Sequence, residues 1–165
     1  MTVTMQRRAW LAAWPAALLA GCGFQLRGEP ALPFTHIALL GFPDRSPLHD
    51  DLKAALQRQV QVVDALSQAQ LVLRARQDLR ERSVVASTAA GQVREVQLRV
   101  RLEFSIETPG GRELVPVTEL LLVRDMSYSE SFALAKEQEE AQLYRNMQAD
   151  IVAQLMRRLA RVKVA

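Results

Sequence analysis

Cysteine occurs once in these 165 residues and histidine twice, and that scarcity removes most of the chemistry side chains can carry. His36 and His49 have no partner at ligand spacing, so neither a metal site nor a cofactor is expected. The single thiol, Cys22, lies in the N-terminal region and leaves no cysteine nucleophile for the rest of the chain. Gly110-Gly111 lacks the spacing and the following helix of a phosphate-binding loop. Glu139-Glu140 and Asp50-Asp51 are adjacent pairs, and neighbours on a helix point in different directions, so neither forms a carboxylate dyad. A checklist of catalytic features returns nothing, and the chain reads as a protein that is not an enzyme. Charge of one sign is scarce too: 21 Lys and Arg stand against 18 Asp and Glu, a formal charge of +3. There is no internal repeat and no low-complexity segment.

What is present begins with a targeting signal. Arg7 and Arg8 precede an unbroken apolar run, Ala9 to Leu19, which is a charged n-region followed by an h-region. The run is shorter than the roughly 20 residues a membrane helix needs, and Pro15 interrupts it. Leu19-Ala20-Gly21-Cys22 then resembles the lipobox of bacterial lipoproteins, so residues 1–21 are expected to be removed and Cys22 to carry lipid. The alternative for a lone cysteine is a buried thiol or half of an intermolecular disulfide; its position directly after a secretion signal favours lipid. Gly23, where some lipoproteins carry Asp, resembles the outer-membrane address. Loss of the signal removes two arginines and no acid, so the charge falls to +1, and basicity gives no argument for nucleic acid as a partner.

Residues 22–33 contain Gly23, Gly28, Pro30 and Pro33 with little periodicity and read as a lipidated tether. Residues 34–165 then read as one domain. Thr35 to Leu40 is a short apolar strand ending in the turn cluster Gly41-Phe42-Pro43-Asp44. Ser46-Pro47 is an N-cap followed by proline at the first helical position. Leu48, Leu52, Ala55 and Leu56 share one face of a helix reaching about Gln59, and Val60 to Val63 is a short extended piece. From Leu71 to Ser87 apolar and charged residues alternate, placing Leu71, Leu73, Ala75 and Leu79 inward and Arg74, Arg76, Asp78, Arg80 and Arg82 on a solvated or partner-facing side. Val96 to Ile106 alternates more strictly, and Pro109-Gly110-Gly111 turns it back into a strand from Glu113 to Asp125. Pro116 cannot donate to a ladder, so that strand belongs at an edge or pairs only beyond it. Leu120 to Val123 is apolar on both faces, one of them covered by a helix end or by another molecule. Ser129 to Val162 is a long amphipathic helix with Tyr144, Met147, Ile151, Leu155 and Leu159 in a stripe. The order β-α-β-β-β-α gives an α+β fold, a four-stranded, mostly antiparallel sheet with two helices packed on one face.

Two segments carry a family resemblance. Phe24-Gln25-Leu26-Arg27 after the lipid cysteine, and Phe132-Ala133-Leu134-Ala135-Lys136-Glu137 entering the last helix, are similar to the LptE family of lipopolysaccharide-assembly lipoproteins. The resemblance implies a lipid-anchored outer-membrane protein that plugs the LptD β-barrel, assists its assembly and binds lipopolysaccharide. It places a ligand contact at Lys136, whose ammonium is a point-charge partner for phosphate; solvation, or pairing with neighbouring acids, is the plainer role for such a lysine. LptE-like proteins can carry a basic residue just before the glycine of the strand turn. Here the turn reads Thr88-Ala89-Ala90-Gly91, and the nearest cations are Arg82 and Arg94. The rival reading is an outer-membrane lipoprotein that binds another envelope lipid or glycan without a barrel partner.

Overall fold

A computed structural model describes residues 30–163; the signal segment, Cys22 and the tether as far as Glu29 lie outside the described residues. Strand β1 (His36–Leu40) leads into helix α1 (Pro47–Gln57), then β2 (Gln61–Val62), the long strands β3 (Leu71–Ser87), β4 (Val93–Glu107) and β5 (Glu113–Ser127), and helix α2 (Ala133–Leu159). The strands form one sheet in the order β2-β1-β3-β4-β5. β1 runs parallel to β2 and β3, and β3-β4-β5 form an antiparallel meander. The fold class is the α+β arrangement expected, with five strands in place of four. The added strand is the extended piece after α1, which pairs with β1 through only His36↔Gln61 and Ile37↔Val62. Two residues are too few to show alternation, which is why the sequence marks the piece without revealing its pairing.

Local chemistry sets the boundaries. The Ser46 hydroxyl accepts from the His49 amide at 3.0 Å, and Pro47 follows at the first helical position; together they satisfy one free amide and preset the backbone angle. The two long hairpins close with the same device. Thr88 and Thr108 each accept, through the side chain, the amide four residues on, while Gly91 and Gly111 adopt φ of 78° and 85°. That left-handed conformation is open to glycine without steric penalty. β5 is the edge strand, and its register slips between Phe104/Thr118 and Ile106/Val115, which accommodates Pro116 as a residue with no amide to donate.

The core lies on one face of the sheet. Val96, Leu98, Val100, Leu102, Phe104 and Ile106 of β4 are fully buried and share a cluster with Leu48, Leu52 and Leu56 of α1 and Met147, Ile151, Leu155 and Leu159 of α2. Each such side chain contributes about 1.5–3 kcal/mol by leaving water. Leu120 and Leu122 join this core from β5, whereas Leu121 is 40% exposed and turns to the opposite face. Of the apolar run Leu120 to Val123, the even positions therefore pack on the chain's own helices and the odd positions do not.

One expectation fails at β3. Its register against β4 shifts between Ala75 and Gln77, so that Ala75 faces Phe104 but Arg80 faces Val100 and Arg82 faces Leu98. The extra residue is a β-bulge, and it reverses which side chains point where. Beyond it Asp78, Arg80 and Arg82 lie on the helix side, and Leu79 turns outward at 38% exposure. The single arginine face read from the alternation is thus two faces. Gly41 packs against the bulge: at φ 77° it lies against the Ala75 backbone, where any Cβ would collide with the carbonyl oxygen of Ala75.

Candidate functional site

With the face reversed, the distal half of β3 runs beneath the first turns of α2. Arg80 stacks on the ring of Tyr144, its guanidinium carbon 4.1 Å from the ring centroid, a cation–π contact. The Tyr144 hydroxyl donates to the Glu81 carbonyl at 2.7 Å. Burial pushes that hydroxyl above the ordinary tyrosine range, and Glu140 adds to the effect, while Arg80 and Arg82 act against it. Arg82 donates from Nε to Glu140 at 3.1 Å and lies over the Tyr128 ring at 5.5 Å.

Lys136 stands one turn into α2, where an ammonium opposes the helix dipole. Its Nζ donates to Glu139 at 2.8 Å and to the Ser127 hydroxyl at 3.2 Å, and its side chain is only 19% exposed. Local acids therefore hold two of the three cations named from sequence, Lys136 and Arg82. Arg94 is exposed and has no side-chain partner among the described residues; its carbonyl accepts from the Tyr128 amide at 2.8 Å. Lys136 and Arg82 meet the β5–α2 junction at Ser127-Tyr128 through their side chains and Arg94 through its backbone carbonyl, at one end of the sheet. Arg82 is opposite Leu98 in the ladder, four residues from Arg94, a separation of about 13 Å along the strand. They make a cationic rim and not one tight pocket.

Sequence reasoning missed the apolar half of this end. Phe132 and Leu134 are 67% and 72% exposed beside Lys136. Tyr128, under Arg82, was missed as well. The available signal was their position: an aromatic just before the helix start, and two apolar residues off the helix stripe.

The opposite face of the sheet differs in character. Arg101 sits between Leu79 and Leu121 in the ladder; its Nη1 reaches Glu119 at 3.5 Å, and its buried Nε has no partner. Arg99 donates to Gln97, which donates to Asp125 at 2.9 Å. This face presents charged hydrogen-bonding groups with Leu79 and Leu121 set among them.

Among the described residues no group of three His, Cys, Asp or Glu could hold a metal. His36 is occupied with Thr35, and His49 with Asp50 and the Phe42 ring. No helix among the described residues is long and apolar enough to cross a membrane.

These features define a class, a small α+β module that offers two contrasting contact surfaces, one cationic with exposed apolar neighbours and one flat and polar. Over residues 34–159 the chain matches the model of the LptE family, described as lipopolysaccharide-assembly, and it belongs to that family. It is similar in structure to the uncharacterized lipoprotein B of Nitrosomonas europaea, at 27% identity and a TM-score of 0.70, over 84% of this chain and 90% of that one. Rare lipoprotein B of Shewanella oneidensis shows 25% identity and a TM-score of 0.63, over 76% and 94%. The minor lipoprotein of Acinetobacter baumannii shares the fold, with 24% identity and a TM-score of 0.64 over 81% and 98%. No curated protein sequence matches. Family membership gives the chain a role in lipopolysaccharide assembly as an envelope lipoprotein, in agreement with its reading as a non-enzymatic protein.

Proposed function

We propose that the protein is anchored to the outer membrane by lipid on Cys22, after removal of residues 1–21, and that residues 22–33 tether a single domain. In this reading the domain plugs the LptD barrel, assists its assembly and contacts lipopolysaccharide through Lys136, Arg82 and Arg94. The observation that carries the reading is the juxtaposition at the β5–α2 junction. Lys136, with Arg82 and Arg94 further along the rim, follows the exposed Phe132 and Leu134 in the chain, a pairing suited to a ligand with phosphate next to acyl chain. The flat polar face suits a barrel lumen, which is polar and rich in hydrogen-bonding groups.

Two measurements test it. Affinity purification from detergent-solubilised membranes is expected to retain a large β-barrel; an eluate without one would favour the lipoprotein that binds a lipid or glycan alone. Lys136→Glu is expected to weaken lipopolysaccharide binding about tenfold at low salt, where exposed charges are least screened. Binding equal to wild type would remove Lys136 from the site.

A further inference from the structure

A concave site distinct from the cationic rim lies between the two helices. α1 and α2 splay to leave a groove of about 1000 Å³, at the upper end of the roughly 300–1,000 Å³ of ligand pockets. Ala149, Val152, Ala153 and Met156 of α2 face Ala55 of α1 across it, so its walls are short and apolar. Gln148 lines the same groove and is 3% exposed, yet its amide nitrogen has no hydrogen-bond partner. A buried amide without an acceptor is an unmet donor in the groove wall, which a ligand that opened the wall and brought an acceptor would satisfy. Around the groove stand four arginines, at 58, 145, 157 and 161, against the single acid Asp51.

We propose that this groove seats an acyl chain of an anionic phospholipid from the membrane to which the protein is attached, with the phosphate and ester oxygens at the arginine rim and the Gln148 amide. The chemistry selects such a ligand because the rim is cationic, with Arg157 and Arg161 beside a single carboxylate, Asp51. A phosphoester headgroup presents acceptors alone, whereas a peptide backbone would bring its own N–H donors to a site with one carboxylate to receive them. Location agrees. Pro30 forms part of the groove's lip, and the stretch from Cys22 to Pro30 can span no more than about 28 Å, so the groove stays close to the bilayer. The inference rests on the anchor proposed above in this last respect.

The test is photo-crosslinking in cells, with p-benzoylphenylalanine at exposed Ala153 of the full chain. The expected product is an adduct heavier by one phosphoglycerol-headed phospholipid. Its yield should fall at least fivefold in Arg157→Glu/Arg161→Glu while the unfolding midpoint holds. If that double reversal does not fold, Arg157→Gln/Arg161→Gln is read by the same ratio. An adduct to a polypeptide, whether a second copy or another protein, would overturn the proposal, as would no adduct or one indifferent to the charge reversal. The intact mass of the same protein reports acylation of Cys22 separately, so failure of the anchor and failure of the groove give different results.

Discussion

Tyr144 holds the distal half of β3 to α2 by a hydrogen bond, a stacked guanidinium and its own burial, and each contact can be weighed. The bond to the Glu81 carbonyl is worth about 0.5–1.5 kcal/mol, and the Arg80 stack about as much again where it is partly desolvated. Tyr144→Phe keeps the ring and the stack, so a loss of about 1 kcal/mol is expected in urea unfolding at pH 7. The raised affinity of the folded state for the phenolic proton adds a pH signature. Its contribution is fully present below the ordinary tyrosine value of 10.0 and is lost as pH rises through the higher folded value. Wild type should therefore lose stability more steeply than Tyr144→Phe as pH rises above 10; equal slopes would mean that another group governs the alkaline limb. Neighbouring Lys136 and Arg82 behave differently. Both are salt-bridged at partly exposed positions, where such pairs contribute roughly 0–1 kcal/mol, so their loss should change ligand binding far more than folding.

Strands and helices were legible because periodicity survives in the letters. The alternation from Val96 to Ile106 gives β4 its inward face without correction, and the stripe Tyr144, Met147, Ile151, Leu155, Leu159 is the buried face of α2. The bulge in β3 was not legible. A run reading Arg74, Arg76, Asp78, Arg80, Arg82 keeps its period straight through the point where the backbone gains a residue, and only the partner strand reveals the change. The bulge also meets Gly41 from elsewhere in the chain, a contact that local pattern cannot foresee, and a dependence of the bulge on it can be checked. Gly41→Ala places a Cβ against the Ala75 carbonyl and forces alanine into φ 77°, so a loss of at least ~2 kcal/mol is expected from chemical denaturation. A substitution within 0.5 kcal/mol of wild type would show that the bulge does not depend on that contact. The candidate site was legible in its cations and illegible in its arrangement, since Arg82 is turned toward Glu140 and Tyr128 by the same bulge.

For the whole molecule, the sheet divides two kinds of surface. Helices cover one side, with the cationic rim at their edge, and the other side stays open, with Leu79 and Leu121 flanking Arg101. If that open side meets the barrel, Leu121→Arg should leave the unfolding midpoint near wild type, as expected for an exposed site away from special features. It should also reduce barrel recovery in affinity purification severalfold. Undiminished recovery would move the contact to another surface. If the proposed function holds, a strand that kept its alternation through Arg76 would have put Arg82 on the same open plane as Arg101. The crossover at that point would then let the chain hold a barrel wall by one side while lipopolysaccharide comes and goes at the other.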